Sequence, residues 1–228
     1  MININEEALS KYLLENNVFI IGEYFKVKKS DSNVLNHIEA IKSIQNILMG
    51  YHSVEKNSIL SEIGKRVDRI FVMTKKLETL FKEKNYYEKR ILEETKKALE
   101  ELEKINYIDI YKRGMERHEI CIDKIDESNL RIIDNIEIGK IKKINFNIIE
   151  EDFINYLFKL KKRCSKELIK EYSIEYVSKL KLRKTSLDYI NLIINIPQES
   201  LKYWYKNRYE WDVFRSNLKN IAEKELGF

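Results

Sequence analysis

Between Ile122 and Asn147 the chain carries polar residues at spacings that suit chemistry. Ile122-Asp123-Lys124 is followed, after a four-residue spacer, by Asn129 and the apolar run Leu130 to Ile133. Ile144-Asn145-Phe146-Asn147 then alternates apolar with polar, and Asp152 follows shortly after. The side chains in these slots are one cation and three neutral amides. An ammonium cannot act as a carboxylate base and repels a divalent cation, and an amide lacks the charge that holds Mg²⁺. The spacing is present without the groups that would use it.

Other constellations are weaker. Arg113 and His118 have the Arg-x4-His spacing that, on a single helix, lets arginine bind a phosphate while histidine moves a proton. Gly114 between them fits a helix poorly, and the segment reads as leaving a helix for a strand. His37 and His52 fall near helix ends, where capping or surface roles are expected, and three dispersed histidines make no metal site. Glu150-Glu151-Asp152 opens a helical run, so its charges suit the positive end of the helix dipole. Asp152 is expected to cap that helix or tether a loop. Cys121 and Cys164 form no CxxC and read as buried, reduced thiols. Tyr203, Trp204, Tyr205, Tyr209 and Trp211 crowd together among 14 tyrosines and two tryptophans. Half of such a cluster belongs in a core, and the rest offers an adhesive surface.

The elements that must position these residues are mostly helical. Residues 17–28, β-branched and aromatic, predict a strand or short hairpin. Asn33 or Ser32 caps a helix that carries Ile38, Ile41, Ile44 and Leu48 up to Tyr51-His52. A second helix places Ile59, Ile63, Val67, Ile70, Leu77 and Phe81 near one face, and a third spans about 86–105. Short apolar runs at Ile120–Ile122, Leu130–Ile133, Ile136–Ile138 and Lys142–Phe146, broken by Asp, Asn and Gly139, suggest two or three short strands. Helices return at about 149–162, 166–180, 185–195, 199–209 and 213–224, with Pro197 separating two of them. The 228 residues carry 35% charged and 43% hydrophobic side chains and a net charge of +5, with Lys and Glu interspersed. That balance describes a solvated surface; no dense Lys/Arg block marks a nucleic-acid footprint. No stretch reaches the roughly 18 apolar residues of a membrane span, and the first residues lack a secretory signal pattern.

Order and spacing together resemble the C-terminal lobe of the aminoglycoside phosphotransferase and choline kinase superfamily, and within it the spore-coat CotS family. Tyr51-His52 is similar to that family's aromatic-His pair after the first long helix of the lobe. Ala98-Leu99-Glu100-Glu101-Leu102 leading to Tyr107 resembles the helix before its catalytic loop. Ile196-Pro197-Gln198-Glu199-Ser200-Leu201-Lys202-Tyr203-Trp204 resembles its closing Phe-Pro-x-x-Phe-Trp helix. The likeness covers about residues 40–225. Active members read His-Gly-Asp-x-x-x-x-Asn, with the Asp orienting a hydroxyl and the Asn holding a metal. Aligned on that motif, Ile122 takes the His slot, Asp123 the Gly slot and Lys124 the Asp slot, and Asn129 alone matches. The family's Ile-Asp-Phe-Asp metal strand becomes Ile144-Asn145-Phe146-Asn147. The resemblance places a structural Asp near Asp152.

The resemblance therefore implies an α+β, mainly helical fold: a kinase-like C-lobe over 36–228 with a small central β element, preceded by a remnant strand and hinge over 1–35. The N-lobe is expected to be reduced or missing, since the six glycines form no Gly-rich loop. Lys26 and Lys28 read as surface lysines flanking a strand. The implied function is a catalytically inactive, kinase-like structural or adaptor component of a spore coat. It would be made in the cytoplasm and bind other proteins, with no nucleotide, metal, cofactor or membrane. Two alternatives stand beside it: a basic helical nucleic-acid-binding protein or small ribonuclease, and a metabolite-binding pseudoenzyme in which Lys124 grips an anion.

Overall fold

Side-chain caps open three of the described helices. In the computed structural model, which describes residues 4–27, 33–51 and 59–227, the chain is α+β and mainly helical. After α1 (Ile4–Glu15) and β1 (Val18–Ile20) comes α2 (Val34–Met49), whose first turn is capped by the Asn33 side chain accepting from Asn36 N at 3.2 Å. α3 (Lys65–Leu80) and α4 (Tyr86–Lys104) follow, and α4 opens on a capping box in which Asn85 and Glu88 each accept the other's amide at 2.9 Å. Such reciprocal caps satisfy two N–H groups that a helix start otherwise leaves open. α5 (Ile108–Glu116) leads to β2 (Ile120–Cys121), β3 (Leu130–Ile132), β4 (Ile136–Ile138) and β5 (Asn145–Phe146). The chain closes with α6 (Glu150–Leu160), α7 (Lys166–Lys179), α8 (Lys184–Asn195), α9 (Gln198–Lys206) and α10 (Trp211–Leu226).

Four expectations change. The second helix does not carry Ile59 and Ile63, because Gly64 turns left-handed at φ 82 and starts α3 only at Lys65. Residues 60–62 instead run extended beside β5, with Glu62 N donating to Phe146 O at 2.8 Å and Phe146 N to Leu60 O at 3.0 Å. Of the 17–28 segment only Val18–Ile20 joins a sheet, and Gly22 at φ 89 ends it. α1 lies outside the expected elements: among its described side chains only Leu9 and Leu13 are buried, too short a period to read. α5 holds Gly114 in its interior because a side chain there would approach Ile148 Cγ2 to 2.8 Å. Lys28, His52 and Ser32 lie outside the described residues.

The strands form two small sheets, not one. β1 pairs parallel with β4 and β3 antiparallel with β4, giving the order β1-β4-β3. β2 pairs antiparallel with β5, with Cys121 opposite Asn145. The chain separates into two compact units, and residue 35 falls inside the first of them. Met1–Ile63 with Ile108–Ile190 forms the first, where α2 packs on α7, β2 and β3. Its core includes Ile38, Ile41, Ile44, Leu130, Phe153 and Tyr176, and the Phe153 and Tyr176 rings stack at 3.8 Å. Gly64–Tyr107 with Asn191–Phe228 forms the second, where α9 packs on α3 and α10. Its centre is aromatic: Trp204 lies 5.3 Å from Phe81 and 5.7 Å from Trp211, ring to ring.

Candidate functional site

The loop from Ile122 to Asn129 is held at nearly every residue. The Asp152 carboxylate, in the first turn of α6, accepts from Ile122 N at 3.0 Å and Asp123 N at 2.9 Å. Asp123 takes a φ of 65, the left-handed region that favours glycine. Asp152 is the loop tether that its position suggested. Burial pushes its carboxyl up to about 7, against the two amides that favour the charged form.

Further along, the Ile125 carbonyl lies 2.6 Å from His37 Nε2. A carbonyl only accepts, so Nε2 carries the proton. His37 sits in the first turn of α2, yet it is buried and not a surface cap, and burial lowers its pKa. Asp126 accepts from Ser128 N at 3.0 Å and pairs with Lys159. Glu127 accepts from Tyr156 Oη and Arg163 Nη2, both at 2.7 Å.

Asn129 closes the loop. Its Nδ2 donates to Lys124 O at 2.7 Å and Lys140 O at 2.9 Å, and its Oδ1 accepts from Lys140 N at 2.7 Å. The side chain is fully buried and both ends of its amide are occupied. Gly139 makes the closure possible: a Cβ there would meet Glu23 O at 2.6 Å and Asn129 Oδ1 at 2.8 Å. Asn145 and Asn147 are buried as well. Asn147 Oδ1 accepts from Ile148 N at 3.0 Å, whereas Asn145 Oδ1 has no partner. Ile122 is buried in the core.

Lys124 is half-buried and packs its side chain over an aromatic ring. Its Nζ lies 3.4 Å from the centre of the Tyr24 ring, and Lys142 and Lys140 approach the same ring to 5.4 and 5.6 Å. None of the three forms an ion pair with a described carboxylate. Each contact with the ring's negative face contributes about 0.5–1 kcal/mol at an exposed site. Sequence reasoning singled out Lys124 but missed Tyr24, Lys140, Lys142 and His37, whose places depend on partners about a hundred residues away. Gly139 was the one local signal, because close backbone approach is what glycine permits.

The Arg113–His118 pair does not come together on one helix. α5 ends at Glu116, and His118 follows at φ 50. Arg113 is spent on two buried carboxylates: Nε reaches Glu119 at 2.9 Å and Nη2 reaches Glu150 at 2.6 Å. Burial works against the guanidinium, yet the two acids raise its pKa overall. Glu119 is itself raised, because burial outweighs its pairing with Arg113. Cys121 is free and buried, and burial pushes its thiol well up; Cys164 is free but only half-buried. Of the aromatic cluster, Trp204 and Trp211 are core residues, and Tyr209 is 81% exposed.

Among the described residues no cluster of three His, Cys, Asp or Glu could hold a metal ion, and no helix is long and apolar enough to cross a membrane. No protein-family model matches the chain, and no curated protein sequence matches it.

Proposed function

We propose that this protein is a catalytically inactive kinase-like scaffold, a structural or adaptor component of the spore-coat type that its sequence resembles. One observation carries the reading: a loop pinned at nearly every residue presents a lysine, Lys124, where the resembled motif has its catalytic carboxylate. Phosphoryl transfer depends on positioned charge, and a positioned ammonium has the wrong sign for base or metal ligand. Asn129 spends its amide on the backbone of its own loop, and the paired strand positions Asn145 and Asn147 are buried amides. The tether from Asp152 and the left-handed Asp123 in the glycine slot fit the same motif.

A thermal melt with ATP, with and without millimolar Mg²⁺, tests the proposal. A ligand at about 100 times its dissociation constant stabilises a fold by roughly 2.7 kcal/mol, a visible shift. The expected result is no Mg²⁺-dependent rise; such a rise would withdraw the proposal.

The three lysines around Tyr24 favour a second reading, an anion-binding pseudoenzyme. It requires a rise with ATP that is independent of Mg²⁺ and is lost in Lys124→Ala. A nucleic-acid function would show itself as RNA binding that falls steeply with salt.

A further inference from the structure

Another cationic site lies in the first unit, away from the Ile122–Asn129 loop, and nothing in the kinase-like reading uses it. α5 and the turn between α7 and α8 border an open hollow of about 400 Å³, lined in part by the exposed Lys112, Glu116, Arg117, Lys181 and Arg183. Its size is that of a small-molecule site. Arg113 and Ser186 also line it, and Arg113 Nη1 donates to the buried Ser186 Oγ at 3.2 Å. Arg113 is balanced by Glu119 and Glu150, and Lys112 approaches Asp109 at 4.0 Å. Arg117, Lys181 and Arg183 form no ion pair with a described carboxylate. Glu116 is the one further acid in the lining, so the hollow keeps an excess of positive charge.

Lys181 adds a telling detail of geometry. It is the left-handed residue after α7, at φ 53, with Leu182 N reaching back to Val177 O at 2.9 Å and Lys181 N to Ser178 O at 3.1 Å. This is the helix-ending arrangement in which glycine is favoured. A lysine there costs stability and places a cation at the rim.

We propose that this hollow binds a small phosphorylated anion carrying at least two negative charges, held by Arg117, Lys181 and Arg183 with Thr185 in the lining. A hollow of this size, open to solvent with its cations at the rim, suits a compact ligand; a nucleic-acid strand needs an extended basic groove. The site is independent of the scaffold reading and survives its failure.

Inorganic pyrophosphate is the probe, titrated calorimetrically into the full chain at fixed ionic strength. Arg117→Gln and Arg183→Gln should each weaken binding roughly tenfold, the loss of one charge-assisted contact. Lys181→Gly separates binding from folding. It should weaken pyrophosphate while raising the melting temperature by roughly 2–4 °C, because glycine relieves the left-handed strain. Three results would overturn the proposal: no binding at millimolar pyrophosphate, binding unchanged in all three variants, or sulfate binding as well as pyrophosphate. An RNA oligonucleotide that binds, is lost in the same variants and is not displaced by pyrophosphate would assign the hollow to nucleic acid instead.

Discussion

Asn129 and Gly139 show how much of the loop's rigidity rests on single residues. Asn129 has three amide contacts inside the fold, and each buried group it satisfies would cost about 1–3 kcal/mol if left open. Gly139 leaves room for them, because the Glu23 carbonyl and the Asn129 amide occupy the space a methyl group would need. Gly139→Ala should therefore destabilise the first unit by about 1–3 kcal/mol, the usual cost of overpacking. Labelling of the buried Cys121 by a thiol reagent reads this out, since the sulfur becomes accessible only when the unit opens. Labelling at the wild-type rate would show that the strand yields without cost. At this scale Lys124 and the two amides at Asn145 and Asn147 are legible in the sequence, because residue type and spacing are local properties. The clamp that makes Asn129 structural was not, since Lys140 meets it only through the β3–β4 hairpin.

Helices and strands divide by whether their ends carry their own signals. α4, α7 and α9 begin within a residue of their expected starts, and the Asn85 and Ser165 side chains cap the first two, a signal that acts within one turn. α5 was misread because Gly114 looks like a breaker, and the reason to keep it is Ile148 in another element. In the second unit the cap of α4 also does tertiary work. Glu88 is fully buried, caps its own helix and accepts from Trp211 Nε1 at 2.9 Å and Arg215 Nε at 2.7 Å. Glu88→Gln keeps the shape but removes the charge, and should cost about 1.5–3 kcal/mol. Both tryptophans lie in the second unit, so their fluorescence reports its melting. An unmoved transition would show that Arg215 contributes nothing through this contact.

For the molecule as a whole, two buried groups pull stability against pH in opposite directions. Asp152, raised to about 7 by burial, holds a proton when folded at pH values where an ordinary carboxyl near 3.8 has lost it. Its contribution is complete below the unfolded value and drains away as pH rises through 7. His37, lowered chiefly by burial, is neutral when folded where an ordinary imidazole near 6.5 is charged. Its contribution is present above that value and is lost as pH falls. Asp152→Asn puts an NH₂ group where two backbone amides need acceptors and should destabilise the first unit, most strongly near pH 4. The gap from wild type should narrow by up to about 1.4 kcal/mol per pH unit towards pH 7. A constant gap, measured by urea unfolding, would show that Asp152 titrates alike in both states.

The sequence by itself determined the mainly helical α+β class, the order of most elements and the presence of an ammonium at Lys124 and neutral amides at Asn145 and Asn147. These depend on period, caps and residue type, all readable within a few turns. Only the tertiary structure decided that His37 joins the expected Asp152 tether in gripping the Ile122–Asn129 loop, that three lysines gather on Tyr24, and that Arg117, Lys181 and Arg183 share a hollow. Each of those depends on side chains far apart in the chain, which only packing brings within reach of one another.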